Sequence, residues 1–146
     1  MIDRFIECLI PENRCNLKCE YCYVSQNPQN FPDNSFDYPI SHIINALSKE
    51  RLGTCFFSLC GAGETLLKKE VLELTIGLIR NGHYVNITTN GLSTSRYDKL
   101  LSSLNKKELS RVHFSFSLHY DELVRTNNIS LFLRMQKDLL KMMYQL

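Results

Sequence analysis

The chain has 146 residues, of which 44% are hydrophobic and 22% are charged. These proportions are typical of a folded domain of about 100 to 200 residues, and they exclude a disordered or collagen-like chain. A formal net charge of +2 is too small to indicate binding to nucleic acid or to a membrane surface. No signal-peptide pattern and no run of about 18 apolar residues is present, so we expect one cytoplasmic domain over residues 1–146.

Apolar periodicity along the chain predicts alternating strands and helices. Helix ends are indicated by Gly53 and Gly82, because glycine is common just past a helix C-terminus. In chain order the predicted elements are a strand over 5–10, a loop over 25–37, a helix from Ile40, a strand over 54–60, a helix over 67–79, a strand over 84–89, a turn at Asn90-Gly91, a helix over 97–104, a strand over 112–118 and a helix over 131–146.

Four successive strand-helix units predict an α/β fold with a parallel sheet. Right-handed crossovers curl such units toward a barrel, and a complete barrel of eight units takes about 250 residues. We therefore expect a partial (β/α) barrel of about four units. Four units are either a compact form or an incomplete barrel, and we expect residues 1–146 to be the N-terminal part of a longer barrel, truncated at its C-terminus.

The cysteines are the unusual feature of the composition, because a chain of this size does not depend on disulfides. Cys15, Cys19 and Cys22 are closely spaced, whereas Cys8, Cys55 and Cys60 lie in apolar stretches and are expected to be small buried hydrophobes. Three thiolates leave one iron of a four-iron cluster without a protein ligand. Zinc prefers four ligands, so the spacing favours iron-sulfur over zinc or chance. The candidate metal ligands are therefore Cys15, Cys19 and Cys22.

Other unusual segments also follow predicted strands. Gly61–Glu64 follows the second strand, Thr89–Gly91 follows the third, and Ser117 with His119 closes the fourth. Reactive groups in parallel α/β folds collect at the carboxyl ends of the strands, so these segments should meet the cysteine loop at one rim. Each of them, taken alone, is equally compatible with an ordinary turn. Side chains that alternate with apolar residues along strand four form a polar face that could line this site: His113, Ser115, Ser117 and His119.

Together these segments resemble motifs of the radical SAM superfamily. The stretch Cys15-Asn16-Leu17-Lys18-Cys19-Glu20-Tyr21-Cys22 is similar to its CxxxCxΦC loop, and Arg14 and Tyr23 match peptide- and protein-modifying members that read RCNLxCxYCY. Gly61-Ala62-Gly63-Glu64-Thr65 resembles the GGEP motif, with Ala62 and Thr65 as departures. Thr88-Thr89-Asn90-Gly91 resembles TTNG, and Ser117-Leu118-His119 resembles a Ser-Leu-Asp stretch whose acid is replaced by His119.

The resemblance implies two cofactors, a [4Fe-4S] cluster and S-adenosylmethionine. The cluster would be bound by the three cysteines. The backbone at Ala62 and Gly63 would accept hydrogen bonds from the methionyl ammonium, and Glu64 would orient that loop or the ammonium. The resemblance further implies contacts of Thr89 and Ser117 with the methionine carboxylate or ribose and of Tyr21 with adenine. No further catalytic residue is assigned, and neither His113 nor His119 is expected to be one.

The implied activity is reductive cleavage of S-adenosylmethionine to a 5′-deoxyadenosyl radical that takes a hydrogen atom from a substrate. The residues do not identify that substrate, and a peptide or protein is the candidate class. An external one-electron donor, similar to flavodoxin or ferredoxin, is the expected partner. Two alternatives stay open. One is a compact activase that generates a radical on a partner enzyme, and the other is a non-catalytic module that binds an iron-sulfur cluster or another metal.

Overall fold

The computed structural model describes residues 1–27, 30 and 35–144. Four strands and eight helices lie within these residues, together with one short 3-10 turn over Thr65–Leu67. In chain order they are β1 (Arg4–Ile10), α1 (Tyr23–Gln26), α2 (Ile40–Ala46), α3 (Lys49–Leu52), β2 (Cys55–Gly61), α4 (Glu70–Arg80), β3 (Tyr84–Thr89), α5 (Thr94–Ser102), α6 (Lys106–Leu109), β4 (Val112–Phe116), α7 (Tyr120–Arg125) and α8 (Ile129–Tyr144).

The four strands form one sheet, parallel throughout and in the sequential order β1-β2-β3-β4. Sequential order without a reversal is the arrangement by which β/α units build a barrel, whereas a doubly wound sheet reverses direction at a switch point. The sheet is not closed. The predicted α/β class with about four units is confirmed, and the architecture is consistent with a partial barrel.

One face of the sheet is covered by helices and forms the main core. Phe57, Val85 and Val112 occupy one row across three strands, and all three are buried. Leu74 and Leu78 of α4 belong to the same hydrophobic cluster. Since every second residue of a strand points to the same face, this row explains the apolar alternation in the sequence.

The opposite face of the sheet is partly open and carries both polar and aromatic side chains. Its central row runs Glu7, Ser58, Asn86 and His113 from β1 to β4. These four residues are exposed or half-buried. In a barrel this face would point to the interior, because the helices lie on the outside.

Several predicted boundaries differ from those observed. The helix predicted from Ile40 is two helices, because Ser48 between them is extended, with φ −65° and ψ 150°. Gly53 and Gly82 do follow helix ends, at φ 73° and 90°. The strand predicted over 112–118 ends at Phe116, so His119 lies beyond it as the residue before α7. Neither α6 nor α7 was predicted, nor was the 3-10 turn that precedes α4.

The predicted loop over 25–37 begins differently, because Ser25 and Gln26 belong to the short helix α1. Residues 28–29 and 31–34 of that loop lie outside the described residues. The final helix is present as α8, and its Met135 is buried. Across the parts of the chain that the structure describes, no helix has the length and apolar character needed to cross a membrane.

Candidate functional site

A cavity of about 710 Å³ opens at the carboxyl ends of the four strands. Its walls come from the cysteine loop after β1 and from the segments that follow β2, β3 and β4. It therefore lies at the rim where the sequence predicts that these segments meet. All predicted site residues line this cavity: Cys15, Cys19, Cys22, Tyr21, Ala62, Gly63, Glu64, Thr89 and Ser117.

The cysteine loop rests on a small second hydrophobic core. Leu17 and Cys19 are buried there together with Leu123 of α7 and Phe132 of α8. Burying Leu17 fixes the middle of the loop, so the flanking residues can face the cavity. The loop after β1 is thus positioned by helices that follow β4.

A buried carboxylate ties the same loop to α7. Glu122 accepts a hydrogen bond of 2.9 Å from the backbone N–H of Lys18 and forms a two-pronged ion pair with Arg125. Hydrogen bonds from Arg125 and from the Lys18 backbone hold the pKa of Glu122 below its ordinary value. The carboxylate is therefore charged at neutral pH and available to anchor the loop.

The three thiols differ in environment. Desolvation raises the pKa of Cys15 and of the buried Cys19. Desolvation also acts on Cys22, but hydrogen bonds from Ser25 and Val24 outweigh it and lower the pKa of Cys22. Since metals bind thiolates, cluster binding would displace protons from the two thiols with raised pKa values.

The donor set fits an iron-sulfur cluster with one open iron, because three thiols of one loop line one cavity. Within the described ranges, no three Cys, His, Asp or Glu side chains lie close enough together to hold a metal ion as they stand. A cluster would have to draw the thiols together. Cys15 is exposed and Cys22 is half-buried, so neither is locked in place by dense packing.

The glycine-rich segment after β2 packs directly on the cysteine loop. The N–H of Gly63 donates to the carbonyl of Glu12 at 2.7 Å, and the N–H of Glu64 donates to that of Arg14 at 2.8 Å. A Cβ on Gly63 would meet the backbone carbonyl of Arg14 and lie 2.6 Å from the carbonyl carbon of Asn13. Glycine is thus required here for contact between two loops of the protein itself.

Glu64 connects the rims of β2 and β3. Its carboxylate accepts hydrogen bonds from the N–H of Leu66 at 3.1 Å, the hydroxyl of Thr89 at 2.7 Å and the N–H of Asn90 at 2.7 Å. Burial raises the pKa of Glu64, while the hydrogen bonds from Asn90 and Thr89 act against that rise. The carboxylate thus orients its own loop, which is one of the two roles the resemblance implies for it.

Thr89 and Ser117 are held by backbone contacts at the same rim. The Thr89 hydroxyl also accepts from the N–H of Gly91 at 3.2 Å, and the N–H of Ser117 donates to the carbonyl of Thr89 at 2.8 Å. Tyr21 projects from the cysteine loop toward α7, and its hydroxyl lies 2.9 Å from Nδ1 of His119. This contact joins the cysteine loop to the segment after β4.

Cys60 is not the buried residue that its apolar surroundings predict. It is half-buried and lines the cavity, and its thiol donates to the carbonyl of Gly61 at 3.6 Å. The reason is strand parity, because Cys60 lies on the open face with Ser58 while Leu59 between them points to the core. Cys55 is fully buried as predicted, and Cys8 is half-buried with a pKa raised to about 11 by burial.

The sequence predicts no individual role for three residues that shape the site. Asn90 donates to Asn16 and Cys15, although only its place in a Thr-Thr-Asn-Gly turn was visible in the sequence. Glu12 is buried and ion-paired to Arg14, and Glu122 is 104 positions from the backbone that it binds. Asn90 could have been found from its motif. The two glutamates carried no local signal.

A sequence profile of the radical SAM superfamily matches residues 9–142. The chain belongs to this superfamily. It is 30% identical over 108 residues to a protein of Methanocaldococcus jannaschii that is provisionally named a glycyl-radical enzyme activating enzyme. The matched region covers 74% of this chain and 38% of that protein. It is 31% identical over 126 residues to GTP 3′,8-cyclase of Lactiplantibacillus plantarum, 80% of this chain and 36% of the relative.

The chain therefore spans less than two fifths of the length of either of these relatives. No solved structure matches the chain significantly. Members of the superfamily are enzymes, and the superfamily implies a [4Fe-4S] cluster and S-adenosylmethionine.

Proposed function

We propose that this chain binds a [4Fe-4S] cluster through Cys15, Cys19 and Cys22 and binds S-adenosylmethionine beside it. The observation that carries the proposal is that the three thiols line one cavity with the segments after β2, β3 and β4. When bound and reduced, the cluster supplies one electron to S-adenosylmethionine, which yields methionine and a 5′-deoxyadenosyl radical that takes a hydrogen atom from a substrate.

The chain's own residues would hold the second cofactor at the rim. Ala62 and Gly63 line the cavity, and backbone hydrogen bonds hold their segment against the cysteine loop. Their backbone carbonyls would therefore be held in a fixed position for the methionyl ammonium. Glu64 would hold that segment against β3 and Thr89. Ser117 and Tyr21 also line the cavity, where they are available for the ribose and the adenine.

The proposed substrate is a peptide or protein, and the proposed electron donor is a small flavodoxin- or ferredoxin-like protein. Support for the substrate class comes from the RCNLxCxYCY reading of residues 14–23. A second candidate function is favoured by the relative named as an activating enzyme of a glycyl-radical enzyme. In that case the hydrogen atom would come from a partner enzyme.

Anaerobic reconstitution tests the proposal. The wild-type chain should take up about four iron and four sulfide, and addition of S-adenosylmethionine should change the paramagnetic resonance spectrum of the reduced cluster. Cys19→Ala should lose the cluster, and Cys55→Ala, a matched change of a cysteine buried in β2, should keep it. Full iron content in Cys19→Ala would contradict the ligand assignment.

A chain that binds the cluster but leaves S-adenosylmethionine intact in the presence of dithionite would be the non-catalytic module. Formation of 5′-deoxyadenosine would identify the enzyme. A glycyl radical detected on an added partner enzyme would select the activase over the peptide-modifying function.

A further inference from the structure

The side chain of Asn90, in the turn directly after β3, reaches the cysteine loop. Its Nδ2 donates a hydrogen bond of 2.7 Å to Oδ1 of Asn16 and lies 3.5 Å from Sγ of Cys15. Asn90 is 4% exposed, so the donor side chain is buried, whereas Cys15, which it faces, is exposed. An amide donor close to a ligand sulfur is a contact that none of the expected cofactor roles uses.

The orientation of this amide is fixed by its other contacts. Its Oδ1 accepts from the backbone N–H of Leu92 at 3.1 Å, so exchanging oxygen and nitrogen would set two donors against each other. The backbone N–H of Asn90 donates to the carboxylate of Glu64 at 2.7 Å. Both ends of the residue are therefore held, and Nδ2 can face only the cysteine loop.

Sγ of Cys15 accepts from a second donor as well, the backbone N–H of Leu17 at 3.4 Å. The Leu17 donor belongs to the loop and is present whichever residue follows β3. The Asn90 donor comes from another strand and depends on one side chain. Hydrogen bonds to a ligating sulfur stabilise the more negatively charged, reduced form of an iron-sulfur cluster and so raise its reduction potential.

We propose that Asn90 is a positioning residue that holds Cys15 and raises the reduction potential of the cluster through its Nδ2–H···Sγ hydrogen bond. This inference rests on the proposed function, because it requires Cys15 to be a cluster ligand. It extends that function by assigning to β3 a part in setting how readily an external donor can reduce the cluster.

The test is a redox titration of the reconstituted cluster, followed by paramagnetic resonance without S-adenosylmethionine. Asn90→Ala removes the donor, and its midpoint potential should be more negative than that of the wild type. Asn16→Ala is the matched control, because it removes the other partner of the same inter-loop contact while leaving Asn90 able to donate to Cys15. Its potential should not fall.

Asn90→Leu provides a second variant of similar shape, which carries no donor and adds no charge. If Asn90→Ala takes up less iron than the wild type, Asn90→Leu decides the question, and its potential should also be more negative. An Asn90→Leu cluster with wild-type potential, or equal shifts in Asn90→Ala and Asn16→Ala, would overturn the inference while leaving the proposed function intact. A wild-type chain that takes up no cluster would overturn both.

Discussion

Replacing Gly63 by alanine should separate the glycine-rich segment from the cysteine loop. The backbone of Gly63 does not have positive φ, so its local conformation allows alanine. The obstacle is tertiary, because the added Cβ would lie 2.6 Å from the carbonyl carbons of both Arg14 and Asn13. Ordinary contacts of this kind need at least 3 Å, so the two segments must move apart.

The expected loss of stability follows from the contacts that such a movement breaks. Two backbone hydrogen bonds join the segments, from Gly63 to Glu12 at 2.7 Å and from Glu64 to Arg14 at 2.8 Å. Each contributes about 1 kcal/mol net, and the overpacking that remains adds about 1 kcal/mol more. Gly63→Ala should therefore lower the free energy of unfolding by about 3 kcal/mol, or the melting temperature by roughly 6 to 12 °C in a chain of this size.

Thermal unfolding of the reduced, cluster-free chain by circular dichroism measures this effect. Trypsin cleavage after Arg14 gives a local readout, since loosening of the loop should speed cleavage there. Ala62→Ser, at the neighbouring half-buried position, is the matched control and should change neither quantity. An unchanged melting temperature and cleavage rate in Gly63→Ala would refute the argument that close packing of the two segments selects glycine.

Three further predictions concern buried polar groups. Burial lowers the pKa of His83 below its ordinary value of 6.5, so on acidification the unfolded chain binds a proton at a higher pH than the folded chain does. The free energy of unfolding should therefore fall as the pH drops from 7 to 5, and a flat pH profile would contradict this. The hydroxyl of Tyr97 is buried without a hydrogen-bond partner among the described residues, so Tyr97→Phe should raise stability by about 1 kcal/mol in a urea titration, and a loss would refute the reasoning. Glu122→Gln should speed trypsin cleavage after Lys18 several-fold, because the charged carboxylate that anchors the loop is lost. Glu20→Gln, at an exposed position of the same loop, is the control and should leave the cleavage rate unchanged. Equal cleavage rates in the two variants would show that the ion-paired carboxylate does not hold the loop.

Much of the strand pattern and the position of the candidate site could be predicted from the sequence. Val85 and Ile87 alternate with polar neighbours in β3, and alternation of period two determines which face of a strand each residue occupies. The site followed from the same logic, because parallel strands bring their carboxyl ends to one edge. The limits of the elements were less predictable. Ser48 interrupts a continuous apolar repeat, which periodicity alone does not reveal.

The sequence by itself determined the class of the fold, the superfamily and the three closely spaced cysteines, because these depend on local patterns of type and spacing. The tertiary structure alone decided how the cysteine loop is held. Glu122 reaches Lys18 across 104 positions, and Asn90 reaches Cys15 across 75. Gly63 is required by a contact with a backbone far away in the chain. Such contacts form only when the crossovers bring the ends of different strands together, and local sequence patterns do not show which distant residues will then be neighbours.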